Sequence, residues 1–210
     1  MLARIRGRQG KPPNAEAAEL ACVRDHLAAH ALSPAPRNDW DVLERFRDRA
    51  ISLASTVDDA LTIEDVPARV AAYLAERSLS TRAVCWREFA SLDWGGNGID
   101  MESRGATGDD LVGITGACCA IAETGTLVVL SGVDSPPSVS LLPETHVAIV
   151  RRSSVVRSME DAWTRIRAIG GDLPRAVTFI SGPSRTADIE QTVTLGAHGP
   201  YRVHVVLIPD

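Results

Sequence analysis

Long apolar runs rich in β-branched residues place the strongest constraint on the fold of this chain. Three of them are Thr126-Leu-Val-Val-Leu130, His146-Val-Ala-Ile-Val150 and the run from Val203 to Ile208. A strand that is buried on both faces is apolar along its whole length, whereas a strand that faces water on one side alternates apolar and polar residues. Such runs, separated by helical patterns, predict an α/β fold with a mainly parallel sheet flanked by helices.

Six apolar segments of strand length predict the strands of this sheet. They cover residues 83–86, 111–115, 126–130, 146–150, 176–181 and 203–208. We expect all six in a single sheet.

The N-terminal third carries helical rather than strand patterns. Residues 1–34 predict a basic arm followed by a helix, which Asn14 is suited to cap. Apolar residues at helical spacing predict two further helices, over about 39–55 and 64–76. Ser158-Met-Glu-Asp161 has the pattern of a capping box, which predicts another helix running through Trp163 and Ile166.

The composition is that of an ordinary globular protein. Hydrophobic residues make up 45% of the 210 residues and charged residues 23%. The net charge of −5 argues against nucleic-acid binding. No apolar stretch approaches the length of a membrane span, and no signal-peptide pattern is visible at the N-terminus, so we expect a cytoplasmic protein without a membrane span.

Four cysteines are present, and their spacing does not suit a metal site. They are Cys22, Cys85, Cys118 and Cys119, with no CxxC pair among them. Adjacent cysteines cannot readily contribute together to a tetrahedral zinc or iron–sulfur site. We therefore expect no metal and no cofactor in this chain, and we interpret Cys118 and Cys119 as small buried thiols.

A glycine turn after the fifth predicted strand is a candidate anion site. Gly182 and Pro183 end the strand, and Ser184 or Thr186 is suited to cap a short helix that carries Asp188. Free N–H groups at such a turn can bind an anion, and Arg185 would add positive charge. The alternative is a tight turn with a capped helix and no ligand.

A second glycine turn, Glu123-Thr-Gly-Thr126, places a carboxylate directly before an apolar strand. A carboxylate in this position can act as a nucleophile or as a base. The alternative is a surface acid that accepts hydrogen bonds from turn amides. His198 lies in the turn from Gly196 to Pro200, where its imidazole could reach a ligand beside Arg185.

We expect the two glycine turns to lie close together at one edge of the sheet. Ligands of open α/β sheets gather outside the carboxyl ends of the strands, where the Gly182 turn would lie. The Glu123 turn precedes its strand. Its proximity therefore requires either that this strand runs antiparallel or that the turn folds over the edge.

Three motifs resemble the signatures of the lactate utilization protein C family, whose members carry the LUD domain. They are Ala120-Ile-Ala-Glu-Thr-Gly-Thr-Leu-Val128, Ser140-Leu-Leu-Pro-Glu-Thr-His146, and Gly182-Pro-Ser-Arg-Thr-Ala-Asp-Ile-Glu190 with Gly196-Ala-His-Gly-Pro200. They occur in the family's order, and the resemblance covers residues 35–210. The family is similar to a superfamily of ribose-5-phosphate isomerases, glucosamine-6-phosphate deaminases and coenzyme A transferases. The resemblance therefore implies a coenzyme A transferase-like, LUD-like domain over residues 35–210.

The resemblance implies a subunit of a cytoplasmic system that oxidises L-lactate to pyruvate with iron–sulfur partner proteins. The clusters would then lie in the partner subunits. By analogy with coenzyme A transferases, Glu123 is a candidate catalytic residue, together with His198. Candidate ligand-binding residues lie in the two turns and the expected helix start: Thr124, Gly125, Thr126, Gly182, Ser184, Arg185, Thr186 and Asp188.

Two other classes of function stay open. One is an independent enzyme or binding protein for a small anionic ligand that is phosphorylated, nucleotide-like or linked to coenzyme A. The other is a purely structural assembly subunit. Whether the chain is itself an enzyme is not decided by its residues.

Overall fold

A computed structural model describes residues 2–10, 17–29, 39–186, 194–196 and 198–210. The chain divides into two compact units, residues 1–37 and 38–210. The first unit contains helices α1 (Leu2–Arg8) and α2 (Ala17–Ala29). Helix α2 matches the helix predicted for the N-terminal segment, and its expected cap Asn14 lies outside the described residues.

Among its described residues the second unit carries four α-helices, of which α3 precedes the first strand and the others lie between strands. They are α3 (Val42–Ser52), α4 (Val66–Glu76), α5 (Ser138–Leu141) and α6 (Met159–Ala168).

The described residues of this unit form twelve strands, most of them short. They are β1 (Thr56–Asp59), β2 (Arg82–Cys85), β3 (Asp100–Ser103), β4 (Val112–Gly116), β5 (Cys119–Ile121), β6 (Thr126–Leu130), β7 (Thr145–Arg151), β8 (Val155–Val156), β9 (Val177–Ile180), β10 (Arg185–Thr186), β11 (Thr194–Leu195) and β12 (Arg202–Ile208).

A six-stranded parallel sheet forms the centre of this unit, which confirms the α/β fold with a mainly parallel sheet and flanking helices. Its strand order is β1-β12-β7-β4-β2-β3, and every neighbouring pair is parallel. The central strands β4, β7 and β12 are buried along nearly their whole length. This burial explains their continuous apolar runs, because both faces of each strand are covered.

Two of the six predicted strands lie outside this sheet, so the expectation of a single sheet is wrong. Strands β6 and β9 belong to a second, four-stranded sheet with the order β8-β5-β6-β9. Within it β6 runs antiparallel to both β5 and β9. Helix α6 buries Ala162 and Ile166 against this sheet in a core of its own. An apolar run indicates a buried strand but does not say which sheet contains it.

The apolar pattern missed strands β1 and β3, which form the two edges of the parallel sheet. Their sequences are Thr56-Val-Asp-Asp59 and Asp100-Met-Glu-Ser103, and most of their side chains are exposed or half-buried. Edge strands carry polar and charged residues because these discourage pairing with other chains. Because these strands are polar, apolar runs in the sequence do not predict them.

The predicted helices over 39–55 and 64–76 correspond to α3 and α4. Helix α3 begins after Asp41, whose carboxylate accepts hydrogen bonds from the N–H groups of Leu43 and Glu44. The buried residues of α3 and α4 join the main core. The capping box before α6 is confirmed, since Ser158 and Asp161 each bond the backbone N–H of the other.

The expected helix does not begin directly after Ser184, and a start after Thr186 would lie outside the described residues. Arg185 and Thr186 are extended as β10 and pair antiparallel with β11. The Ser184 carbonyl oxygen accepts a hydrogen bond from the Gly196 N–H (3.0 Å). This segment therefore uses its backbone groups in a hairpin rather than in a helical turn. Asp188, expected in that helix, lies outside the described residues.

None of the helices among the described residues is long and apolar enough to cross a membrane.

Candidate functional site

The two glycine turns singled out in the sequence adjoin each other at one end of the second sheet. Strand β6 runs antiparallel to β9, with Leu127 opposite Ile180. The start of β6 therefore lies beside the end of β9. The Thr126 Oγ1 and Ser181 Oγ atoms are 2.7 Å apart, which is hydrogen-bonding distance. The proximity of the two turns required the strand after Glu123 to run antiparallel to its neighbour or the turn to fold over the edge, and β6 runs antiparallel in the structure.

Three hydroxyl groups form a continuous chain across this junction. Thr124 Oγ1 lies 2.7 Å from Thr126 Oγ1, which in turn lies 2.7 Å from Ser181 Oγ. Thr126 is only 2% exposed, whereas Ser181 is exposed. Three hydroxyls carry three protons and the two internal bonds use two of them. One O–H group therefore remains to donate to a ligand or to water.

The glycines of both turns are required by close packing against the C-terminal end of α3. Gly125 and Gly182 have φ angles of +68° and +79°, in the left-handed region. A Cβ atom on Gly125 would lie 2.6 Å from the backbone nitrogen of Ala50. A Cβ atom on Gly182 would lie 2.4 Å from the carbonyl oxygen of Leu53. Both motif glycines thus have a structural reason that is independent of any ligand.

Arg185 is exposed beside this junction, and its Nη2 lies 3.5 Å from the Leu53 carbonyl oxygen. That contact is long for a hydrogen bond, so the guanidinium keeps donors for other partners. Arg185 is therefore an exposed cation near the end of α3, against which the Gly182 turn also packs.

Ser184 connects the Gly182 turn to the turn that carries His198. Its N–H donates to the Pro200 carbonyl oxygen (2.9 Å), so this N–H is not free to bind an anion. Its hydroxyl accepts a long hydrogen bond from the His198 N–H (3.4 Å). His198 is exposed, so the structure brings its turn against Ser184 while its imidazole faces solvent.

Glu123 is half-buried in the other turn. Its N–H donates to the Arg157 carbonyl oxygen (3.0 Å), which ties this turn to the segment between β8 and α6. The structure therefore places Glu123, Thr124, Ser181 and Arg185 on adjoining turns at one end of the second sheet.

A second feature, which the motifs did not indicate, is a cavity of about 490 Å³ beyond the carboxyl ends of β2 and β4. Its wall includes the apolar side chains of Trp86 and Leu130. It also includes five polar side chains, those of Glu88, Cys118, Asp134, Ser135 and Arg165. Partial desolvation raises the pKa of Glu88, which Arg151 partly offsets. The sequence carried one indication of this cavity. Glu88 and Cys118 each come shortly after a strand of the parallel sheet, and ligands gather beyond the carboxyl ends of such strands.

The expectation that Cys118 and Cys119 are both buried thiols holds for only one of them. Cys119 is buried in the core under α6, whereas Cys118 is half-exposed. Cys118 lies at a bend before β5, where its side chain forms part of the cavity wall and also packs against this core.

Two histidines are buried in the parallel sheet. His146 Nε2 lies 2.8 Å from Thr115 Oγ1, and His204 Nδ1 lies 2.8 Å from Thr56 Oγ1. The His204 ring stacks on Tyr73 with the ring centroids 3.8 Å apart. Burial lowers the pKa of each histidine to about 4, so both are neutral at pH 7.

Within the described part of the chain, no group of three or more His, Cys, Asp or Glu side chains could hold a metal ion.

The central parallel sheet and its flanking helices define an α/β protein, and comparison with known proteins gives its family. Residues 74–208 match the LUD domain family. A relative named lactate utilization protein C, from an Exiguobacterium species, is 32% identical over 184 residues, which cover 82% of this chain and 80% of the relative. The chain belongs to the LUD domain family.

Shorter alignments reach higher identity. The lactate utilization protein C of Bacillus subtilis is 44% identical over 102 residues, and that of Halalkalibacterium halodurans is 42% identical over 102 residues. Each alignment covers 47% of this chain and spans under half of the relative's length, 42% and 44% respectively.

A solved structure supports the fold. The crystal structure of a DUF162 family protein from Deinococcus radiodurans superposes with a TM-score of 0.61 at 20% sequence identity. The match covers 83% of this chain and 99% of that chain.

Proposed function

We propose that this chain is a subunit of a cytoplasmic lactate utilization system, which oxidises L-lactate to pyruvate together with iron–sulfur partner proteins. The observation that carries the proposal is the alignment with the Exiguobacterium protein, which extends over most of both chains. The resemblance of the three motifs to the lactate utilization protein C family supports the same function.

In this proposal the electrons leave the chain through its partners. Oxidation of lactate to pyruvate releases two electrons and two protons, so an acceptor is required. The four cysteines lack the spacing of an iron–sulfur ligand set. We therefore assign the clusters to partner subunits and give this chain a role in binding or orienting components of the complex.

Growth of a deletion strain tests the role in lactate use. We expect a strain without this gene to lose growth on L-lactate as sole carbon source and to keep growth on pyruvate, since only the oxidation step is missing. The intact gene supplied in trans should restore growth. Undiminished growth on L-lactate, in the absence of a second copy, would exclude the proposal.

Association with partners tests the subunit role separately. An affinity-tagged chain purified from cells grown on L-lactate should carry proteins that contain iron and acid-labile sulfide in stable proportion. Recovery of the chain without such proteins would argue against a complex and in favour of an independent role.

The adjoining glycine turns favour a second function, the binding of a small anionic ligand. Arg185 supplies an exposed cation there, and the hydroxyl chain that ends at Ser181 has one O–H group to donate. A phosphorylated, nucleotide-like or coenzyme A-linked molecule would suit these groups because phosphate accepts both kinds of hydrogen bond.

Replacement of Arg185 tests this second function. If the junction binds an anion, Arg185→Ala should weaken coenzyme A or a nucleotide roughly 10- to 100-fold, the scale of a lost charge-assisted hydrogen bond. Arg69→Ala, at an exposed arginine of α4, is the matched control and should leave the affinity unchanged. Equal binding by both variants in calorimetric titration would remove the junction as an anion site.

A further inference from the structure

Cys118 occupies a place in the fold where a thiol can meet a ligand. It follows β4, a central strand of the parallel sheet, and lies in the region beyond the strand's carboxyl end. Its side chain is half-exposed and forms part of the wall of the 490 Å³ cavity. Cavities of this size hold small molecules in many proteins.

Two neighbouring groups stabilise the thiolate form of Cys118. One is the thiol of the adjacent Cys119 and the other is the guanidinium of Arg165. Together they lower the pKa of Cys118 to about 7 against the opposing effect of burial. Arg165 is held in place by its Nε, which donates to the Cys118 carbonyl oxygen (3.0 Å).

The other cysteines do not share this environment. Burial raises the pKa of Cys85 to about 11, and the adjacent Cys118 together with burial raises the pKa of Cys119. Cys22 is exposed in helix α2, which belongs to the other compact unit. Cys118 alone among the four lies in the wall of this cavity with an arginine beside it.

We propose that Cys118 is a nucleophilic thiol site, which takes small organic disulfides into the adjacent cavity and becomes covalently modified as a mixed disulfide. The Cys118 thiolate attacks one sulfur of the small disulfide, and a new S–S bond forms between them. The original S–S bond breaks, and the other half leaves as a thiolate that takes a proton from water. Cys118 is oxidised, and the departing thiol is reduced, so the exchange needs no further oxidant.

The walls of the cavity favour a compact, partly apolar reagent. Trp86, Leu130 and Ile169 provide apolar surface in the wall. The charged groups of the wall are the carboxyl groups of Glu88 and Asp134 and the guanidinium of Arg165. Cys119 is buried in the core and its thiolate is disfavoured, so it is a poor resolving thiol. The mixed disulfide should therefore persist until an external thiol reduces it.

The rate of reaction with 4,4′-dithiodipyridine, a small neutral disulfide, tests the proposal. The protein should carry Cys22→Ser, which removes the exposed competing thiol. We expect one equivalent to react, with a rate that rises with pH around a midpoint near 7 instead of about 8.5. A lower pKa increases the fraction of thiolate but decreases the intrinsic nucleophilicity of that thiolate. The net gain in reaction rate at pH 6.5, compared with an unperturbed thiol, is therefore about fivefold. Peptide mapping should place the label on Cys118.

Two sets of variants distinguish the effect of the groups around Cys118 on its reactivity from the effect of solvent exposure alone. Arg165→Met and Cys119→Ala should each move the midpoint upward, whereas Arg165→Lys and Cys119→Ser keep the charge or the donor and should shift it less. Circular dichroism establishes that each variant is folded. The proposal is overturned if the folded Cys22→Ser protein does not react, if the label falls on Cys85 or Cys119, or if the midpoint stays above 8.

Discussion

Gly125 and Gly182 show at the scale of single residues why a motif need not be catalytic. Both lie in the two turns that resemble family signatures, and both meet the backbone at the end of α3. Their left-handed φ angles and the lack of room for a side chain account for glycine without reference to a ligand. Candidate chemistry in these turns therefore rests on Glu123, Thr124 and Arg185 rather than on the glycines.

Replacing Gly125 by alanine should destabilise the protein strongly. The left-handed backbone costs an alanine about 1–2 kcal/mol, and the forced contact with Ala50 adds about 1–3 kcal/mol. Gly171→Ala is the matched control, because Gly171 has a φ of +75° but nothing within 4 Å of its Cβ position. Urea unfolding should show a loss of about 1 kcal/mol for Gly171→Ala. A similarly small loss for Gly125→Ala would contradict the packing argument.

The buried histidines should make stability depend on pH. Their pKa values are about 4 in the folded protein and about 6.5 in the unfolded chain, so the unfolded chain binds more protons between these values. Stability should therefore fall as the pH drops from 6.5 toward 4, and this loss should stop below about pH 4. Each histidine should contribute about 2 kcal/mol of loss between pH 7 and pH 5.

A variant of His204 separates its contribution from that of His146. His204→Phe keeps a ring to stack on Tyr73 but removes the titrating group. Urea unfolding at pH 7 and pH 5 should show a pH-dependent loss about 2 kcal/mol smaller than in the parent protein. An unchanged difference between the two pH values would mean that His204 does not titrate with the expected shift.

At the scale of elements, helix α6 illustrates what a local pattern predicts well. The capping box needs only Ser158 and Asp161, three residues apart, to satisfy N–H groups at the helix start. Strands β10 and β11 illustrate the reverse. Arg185 and Thr186 follow a possible helix cap, yet they are extended because they pair with Leu195 and Thr194 of β11.

Ser158→Ala should destabilise the protein by about 1 kcal/mol through loss of the α6 cap. Thr164 offers an internal comparison, since it lies within the same helix and its hydroxyl donates to the Glu160 carbonyl oxygen (2.9 Å). Thr164→Ala should be neutral or slightly stabilising because alanine is the better helix former. Chemical denaturation of the two variants checks the order, and a reversed order would refute it.

At the largest scale, a parallel sheet and a second, mixed sheet organise the unit of residues 38–210, and their adjoining parts create the candidate sites. The glycine-turn junction lies at one end of the mixed sheet, where β6 meets β9. The Cys118 cavity lies beyond the carboxyl ends of parallel strands. In chain order it comes just before β5, the first strand of the mixed sheet. Both candidate sites thus depend on how the chain passes from one sheet to the other.

The purified chain alone should contain no stoichiometric iron or zinc. The reason is the spacing of its cysteines, of which two are adjacent and none forms a CxxC pair. Elemental analysis after expression in iron- and zinc-supplemented medium checks this expectation. One firmly held metal ion per chain would overturn it and would also bring the clusters of the proposed system into this subunit.

The sequence by itself determined which segments become buried strands, since β4, β7 and β12 must be apolar along their length when both faces are covered. It also determined the cap of α6, which depends on residues three apart. Only the tertiary structure decided that β6 and β9 leave the parallel sheet, that Thr126 meets Ser181, and that Cys118 faces a cavity while Cys119 is buried. The physical reason is the separation of the interacting residues along the chain. Burial patterns and helix caps depend on neighbouring residues, whereas strand partners and cavity walls come from segments far apart in the chain.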